Sequence, residues 1–365
     1  MARAGLHSYH PSRALLWLSC AMAACTGGIR RPPGSAVATR PPVVVTIVFA
    51  AVDAWLACAQ RQSPARCLQA SEATPGGQIA LLAVETFGTR TKPSVAPSRD
   101  AVATLVHGMK AWKAADLWAD AASYLPRTVS GTIRVFVVGN GHPLGDGYVR
   151  RVRFQGPQAT LAPDGEPVII LNALLLARVP AQALLGGMKH EIFHVLSEWY
   201  RRADPAWRRA PLRPTPDQEL LLLVLEEGIA HFVDRGPRLM REGFPPGEAK
   251  KALAQLADAV RQLRPSSNRT PAAKALLSAA TTGTYWDKYG SISGMFVAYG
   301  VYRAFGVEGL RESMRCGPAR LFQLYDAAMA SVPGLVALPP EVSGWSGGIS
   351  LCAPKPLLPP RASGK

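Results

Sequence analysis

The sequence predicts an α+β protein with a small N-terminal β-sheet, accompanying helices and a mainly helical C-terminal half. Two patterns support this fold class. Short runs of β-branched residues at 43–49 and 132–138 are typical of strands. After residue 172, apolar residues recur every three or four positions, as they do in amphipathic helices. The 365 residues are 48% hydrophobic, which is enough for a sizeable core in one large domain or two subdomains.

The elements are expected in a simple order along the chain. In the predicted helix 100–125, for example, Val102 and Met109 share one apolar face. The expected strands are 43–49, 132–138, 148–154 and 168–171. The expected helices are 50–60, 100–125, 181–200, 217–234, 247–264, 271–281, 290–305 and 317–330. Residues 43–352 therefore form the predicted folded unit, with an α/β part at 43–200, a helical part at 215–352 and the candidate site between them.

The N-terminus is typical of an export signal, which we assign to residues 1–25. Positive charges at Arg3 and Arg13 flank an apolar run at 14–24 that is too short to span a bilayer comfortably. The sequence Met-Ala-Ala-Cys ends at Cys25 and is similar to a bacterial lipoprotein cleavage box. This predicts an exported protein, either anchored to the membrane through lipid on Cys25 or cleaved after a small residue and secreted.

Two further segments are predicted to lack regular structure. Residues 26–42 are rich in Gly, Pro and Arg without periodicity, which indicates a flexible linker after the signal. Residues 353–365 are rich in proline and are expected to form a disordered tail.

The cysteine count indicates disulfides in an exported chain. Six cysteines are present, and four remain if Cys20 and Cys25 belong to the signal. Four cysteines allow three connectivities. Pairing within each half of the chain is our prediction, because the partners are then close in sequence and join a predicted helix to a following loop. The predicted pairs are Cys58–Cys67 and Cys316–Cys352, with buried free thiols as the alternative.

The formal net charge of +16 raises the question of an anionic partner. Zinc-finger, helix-turn-helix and RNA-binding signatures are missing from the sequence, and the basic residues are scattered arginines rather than a stripe on one element. We therefore interpret the charge as a solvated basic surface and expect no nucleic acid as a partner.

The sequence His190-Glu191-Ile192-Phe193-His194 has the spacing of a helical zinc site. A helix turns about 100° per residue, so residues four apart lie about 40° apart on one face. Both imidazoles can therefore reach one Zn²⁺ ion, while Glu191 lies close enough to a bound water to act as a base without being a ligand.

A catalytic zinc site usually needs a third protein ligand. The candidates are Glu198, Glu226, Glu227, His231 and Asp234. A carboxylate at position 198, on the same helix, would lie a turn too far along it. The adjacent pair at 226 and 227 follows the apolar run ELLLLVL, where two acidic groups are costly unless a partner such as a metal offsets their charge.

HEIFH followed by a helix with EEGIA resembles the gluzincin metallopeptidases. The resemblance implies that the Glu before the Gly, Glu227, is the third ligand, and that the fold is zincin-like with one Zn²⁺ per chain. The closer resemblance is to a poorly characterised bacterial family of zinc-dependent peptidases. It spans roughly 43–330 and includes Tyr289-Gly290 and an imperfect F-x-x-x-Y match at 322–325.

These residues predict peptide-bond hydrolysis of a peptide or protein substrate. Zinc lowers the pKa of water to ~7 and polarises the carbonyl, and Glu191 takes the water proton and passes it to the leaving amine. For the oxyanion, Tyr285, Tyr289 and His231 are candidate donors; we favour Tyr289 because it opens a glycine-rich helix. The alternative is a non-catalytic exported lipoprotein or binding protein with a structural zinc site, which would not need Glu191.

Overall fold

The computed structural model describes residues 43–87, 97–139, 147–155, 158–179, 181–210, 214–266, 268–343 and 349–352. The predicted signal with Cys25, the linker 26–42 and the tail 353–365 lie outside these residues. Within the described segments, no helix combines the length and the apolar character needed to cross a membrane.

The N-terminal part contains a five-stranded mixed sheet in the order β1-β2-β5-β3-β4. Strands β1, β2 and β5 are parallel, while β3 is antiparallel to both β5 and β4. The strands are β1 Val43–Val48, β2 Gly131–Val138, β3 Gly147–Gln155, β4 Gln158–Leu161 and β5 Glu166–Asn172. All the predicted strands are present, and β4 is an additional short strand that pairs with the end of β3.

The remainder of the described chain is mostly helical, which confirms the predicted α+β class. The helices of the first part are α1 Ala50–Cys58, α2 Leu68–Glu72, α3 Pro75–Phe87, α4 Arg99–Lys110, α5 Ala114–Ser123 and α6 Ala173–Leu176. The later helices are α7 Ala181–Ala203, α8 Pro205–Arg208, α9 Pro216–Glu242, α10 Pro246–Leu263, α11 Pro271–Ala279, α12 Tyr289–Cys316, α13 Pro318–Ala328 and α14 Pro340–Ser343.

Both faces of the sheet are covered by other parts of the fold. This agrees with its strands, which carry apolar side chains on both faces. In β2, Val135 and Val137 belong to the main core, whereas Phe136 and Val138 belong to a smaller cluster that includes Ile79 of α3. The central strand β5 is buried from its second residue onward, which accounts for its uninterrupted apolar sequence PVIIL. The main core continues into the helical part.

Three helices differ clearly in extent from the sequence prediction, and one of them is α12, which continues to Cys316, eleven residues past its predicted end at 305. The single helix expected at 100–125 is two helices, because the chain leaves helical geometry at Lys113 between α4 and α5. Helix α9 begins at a capping box formed by Thr215 and Gln218 and continues past Pro237 to Glu242, eight residues beyond the predicted end. Its buried Leu239 shows that this last turn is still packed on the core.

Both predicted cysteine pairs are disulfides in the structure. The bond between Cys58 and Cys67 links the end of α1 to the turn before α2. The bond between Cys316 and Cys352 links the end of α12 to the last described residue. The second disulfide closes a loop of 36 residues and ties the C-terminal segment to the helical part.

Candidate metal centre

Helix α7 brings its two histidines to one point. His190 and His194 are one turn apart, and their Nε2 atoms lie 3.0 Å from each other with the rings edge to face. Two imidazole nitrogens that face each other at this distance repel unless a proton or a cation lies between their lone pairs. The buried residues Ile192 and Phe193 face the core, so the helix cannot rotate freely away from this arrangement.

Helix α9 supplies a carboxylate to the same point. Oε2 of Glu227 lies 3.7 Å from Nε2 of His190, and Oε1 of Glu227 lies 3.6 Å from Nε2 of His194. Ligand atoms around a tetrahedral zinc ion with bonds of ~2.0–2.1 Å are ~3.3 Å apart. The observed separations of 3.0, 3.6 and 3.7 Å bracket this value, so the three side chains fit a zinc ion.

His190 is held in the neutral form that binds metals. Burial lowers the pKa of His190 well below its usual value, and the neighbouring His231, His194 and Lys288 lower it further. A hydrogen bond from His190 to the backbone of Ala230 raises this pKa and fixes the orientation of the imidazole ring. Such a bond from a ligand histidine to a carbonyl orients its other nitrogen towards the metal.

The adjacent carboxylates at 226 and 227 have different partners. Glu226 forms an ion pair with Arg201 of α7, whereas the Glu227 oxygens face the histidines. Burial raises the pKa of Glu226, and the Arg201 charge opposes this effect. The divergence follows from the rotation of about 100° between neighbouring helix positions.

The remaining acidic ligand candidates also have basic partners. Glu198 pairs with Arg151 of β3 and with Arg202 one turn along α7. Asp234 pairs with Arg235 and lies against Gly186, where a Cβ would be 1.9 Å from its Oδ1. The pair of Glu198 with Arg151 joins α7 to the sheet, and the pair of Glu226 with Arg201 joins α7 to α9. Glu227 is then the carboxylate that faces both histidines.

Glu191 lies beside the start of β3. A Cβ built on Gly147 would be 3.6 Å from Cγ and 3.8 Å from Oε1 of the Glu191 side chain. The side chain therefore occupies the space between α7 and the antiparallel strand. Glu227, in contrast, approaches the histidines from α9.

His231, one helical turn after Glu227, joins the cluster as a fourth group. Its Nε2 atom lies 3.9 Å from Oε2 of Glu227, and its ring packs edge to face on His190 with centroids 4.5 Å apart. One ligand atom each from His190, Glu227 and His231 lies within 4.8 Å of the other two. The set that includes His194 instead is tighter, at 3.0–3.7 Å, and we favour it for the primary ligands.

The tyrosine that contacts the cluster is Tyr285, not Tyr289. The hydroxyl of Tyr289 donates to the carbonyl of Leu276 at 2.8 Å, in a buried position. The ring of Tyr285 packs edge to face on His231 at 5.6 Å. Its hydroxyl donates to Sδ of Met295 at 3.5 Å and accepts a hydrogen bond from Arg235. The geometry therefore does not favour Tyr289 as the oxyanion donor that the sequence analysis preferred.

The sequence analysis missed Lys288. After burial, its ammonium makes the largest contribution to lowering the pKa of His231 to about 3. Among the described residues, Lys288 has no ion pair, unlike the neighbouring Asp287, which pairs with Lys251. The only sequence signal was the position directly before Tyr289, so Lys288 became identifiable through the fold that brings the start of α12 beside α9.

The chain was also compared with known proteins. A family model described as "Putative zinc dependent peptidase (DUF5700)" matches residues 108–333, more than half of the chain. No curated protein and no solved structure matches the chain. The matched segment contains both histidines of α7, the intervening Glu191 and the Glu227–His231 turn of α9.

Proposed function

The chain belongs to this family of putative zinc dependent peptidases (DUF5700), and from this premise we propose that it hydrolyses peptide bonds with one Zn²⁺ held by His190, His194 and Glu227. The observation that carries the proposal is the approach of two imidazole nitrogens and one carboxylate to within 3.0–3.7 Å of one another. Two nitrogens and one oxygen form a typical ligand set of catalytic zinc, which keeps a further position for water.

A zinc ion held there would lower the pKa of a water molecule to ~7 and polarise the scissile carbonyl. Glu191 is the proposed general base, because it lies beside the ligand histidines on α7 while its carboxylate extends towards Gly147 of β3. It would accept the proton of the attacking water and deliver it to the leaving amine. No other acidic side chain on α7 is equally placed, since Glu198 is engaged with two arginines.

Tyr285 and Lys288 are the proposed groups that oppose negative charge on the substrate oxygen. The Tyr285 hydroxyl accepts a hydrogen bond from Arg235 and donates to the thioether of Met295, a weak acceptor that a substrate oxygen can replace. Burial raises the pKa of Tyr285 to about 12, so this group stays a donor at neutral pH. The charge of Lys288, which has no ion pair in the described part of the chain, acts on His231 of the same cluster.

The alternative is a structural zinc site in a non-catalytic exported protein. A structural site closes all its positions with protein ligands and needs no base. The presence of Glu191 between the two histidines supports the enzyme over this alternative.

The test compares wild-type protein with Glu191→Gln. Both proteins should contain one zinc ion per chain, because Glu191 is not a proposed ligand. A peptide library should be cleaved by wild-type protein, and the variant should lose about 10²–10⁴-fold in turnover, as expected for removal of a general base. Zinc-loaded wild-type protein that cleaves no peptide would favour the structural alternative, and full activity after chelation would refute a metalloenzyme.

We also propose export to the cell envelope, with Cys25 as a lipid attachment point and no nucleic acid as a partner. The disulfides Cys58–Cys67 and Cys316–Cys352 support an oxidising compartment. Mass spectrometry of the mature N-terminus distinguishes a lipid-modified Cys25 from a protein secreted after ordinary cleavage. An intact N-terminus beginning at Met1 would contradict both forms of export.

A further inference from the structure

The candidate metal site is built from two pairs of side chains with the same spacing along their helices. Helix α7 presents His190 and His194 four positions apart, and helix α9 presents Glu227 and His231 four positions apart. Residues with this spacing share one helix face. The four side chains therefore meet between the two helices, although only three of them are needed for a typical catalytic zinc site.

His231 points into this cluster and away from solvent. Its side chain is 9% exposed, and its Nε2 atom is 3.9 Å from Oε2 of Glu227, too far for a hydrogen bond. Its ring packs edge to face against the rings of His190 and Tyr285, with centroids at 4.5 and 5.6 Å.

One ring nitrogen of His231 is unsatisfied. The Nδ1 atom is buried without a hydrogen-bond partner among the described residues. A buried polar atom normally has a partner, and its absence points to a group outside the protein chain. An ordinary core histidine would instead donate to a carbonyl, as His190 does to the backbone of Ala230.

We propose that His231 is a fourth protein ligand of the ion held by His190, His194 and Glu227. The proposal rests on the zinc site of the proposed function. The Nε2 atom of His231 lies 3.9 Å from Oε2 of Glu227, close to the 3.6 and 3.7 Å by which the other two imidazoles approach this carboxylate. With three imidazoles and one carboxylate bound, water would take a fifth position, to which catalytic zinc can expand.

The decisive experiment is a crystal structure of the zinc-loaded full chain, with the ion located by its anomalous signal. The expected result is a nitrogen of His231 at about 2.0–2.1 Å from zinc. Both nitrogens of His231 at a non-bonding distance would overturn the proposal. Because wild-type protein is used, the answer does not depend on whether a variant folds.

Zinc affinity in solution gives the second readout. His231→Phe keeps a buried ring of similar size, and its zinc dissociation constant should rise at least 10–100-fold, the loss typical for removal of groups that merely orient ligands. His107→Asn changes an exposed histidine on α4 and is the matched control, with unchanged affinity. Equal affinity in His231→Phe and His107→Asn would contradict the proposal.

The failure of this proposal can be told apart from failure of the proposed function. If the protein cleaves peptides but its zinc has no bond to His231, the fourth-ligand proposal is refuted and the proposed peptidase activity is supported. If zinc is bonded to His231 but the protein cleaves no peptide, the fourth-ligand proposal is supported and the proposed peptidase activity is refuted.

Discussion

Gly228 of α9 lies directly against Gly294 of α12. A Cβ on Gly228 would be 2.3 Å from the carbonyl carbon of Gly294, and a Cβ on Gly294 would be 2.0 Å from the carbonyl oxygen of Val224. The two helix backbones therefore touch at this crossing. Because Gly228 faces α12, Glu227, rotated by about 100°, is directed towards α7 and the histidines.

The first prediction concerns this crossing. Gly228→Ala should reduce the free energy of unfolding by at least about 1–3 kcal/mol, because the methyl group meets backbone atoms that cannot yield without separating the helices. Zinc affinity should fall with it, since Glu227 moves with α9. Chemical denaturation and metal titration measure the two effects. Gly247→Ala, where a Cβ meets no atom within 4 Å, is the matched control and should be close to neutral.

Most of the fold could be predicted because its signals are local. The apolar run of β5 and the periodicity of α7 gave elements close to those observed. The predicted end of the helix at 305 coincides with Gly306, which has non-helical geometry inside α12 at φ 67°. The break at Lys113 and the short strand β4 were missed, because tertiary packing and pairing with β3 decide them.

The candidate site likewise contains residues with a local sequence signal and residues that only the fold brings together. HEIFH was recognised because ligand spacing within one helix is a local property, and His231, already a candidate ligand in the sequence, has the same i, i+4 spacing from Glu227. Tyr285 was one of three candidate donors in the sequence, but its contact with His231 depends on the fold that brings residues 285–288 beside α9. Lys288 had no signal beyond its position before Tyr289, so its role beside His231 became visible only in the tertiary structure.

A second prediction separates two tyrosines. Tyr285→Phe should lower kcat by about 10²–10³-fold if its hydroxyl stabilises the oxyanion. Tyr289→Phe should leave kcat close to that of wild type and lose about 1 kcal/mol of stability with its hydrogen bond to Leu276. Steady-state kinetics and thermal unfolding of both variants decide this. If Tyr289→Phe lowered kcat more than Tyr285→Phe does, Tyr289 would be the favoured oxyanion donor, as the sequence analysis expected.

The third prediction concerns the pH dependence of the metal-free protein. Burial, together with the Lys288 charge, lowers the pKa of His231 in the folded state to about 3, against 6.5 for an unperturbed histidine. The stabilising effect of this neutral ring is complete above pH 6.5. As the pH falls towards 3, the unfolded state binds a proton that the folded state does not, so stability is lost by up to about 1.4 kcal/mol per pH unit.

Urea unfolding of metal-free protein at several pH values between 7.5 and 4 measures this loss. His231→Phe removes the titrating group and should show a shallower decline over the same range. The exposed-histidine variant His107→Asn should retain the wild-type slope. Identical slopes in wild type and His231→Phe would show that His231 does not titrate as the structure implies.

The central claim is that Glu227, and not its neighbour Glu226, holds the metal with the two histidines of α7. The contacts support this, because Glu226 pairs with Arg201 while both oxygens of Glu227 face the histidine nitrogens. Replacing Glu227 by glutamine exchanges an anionic ligand for a poorer neutral one. The same change at Glu226 removes the charge that pairs with Arg201 and leaves the three proposed ligands in place.

The most direct test is the zinc content of wild-type protein, Glu227→Gln and Glu226→Gln, purified and dialysed side by side. We predict one zinc ion per chain in wild type and in Glu226→Gln, and little or none in Glu227→Gln. Zinc retained by Glu227→Gln and lost by Glu226→Gln would contradict the account.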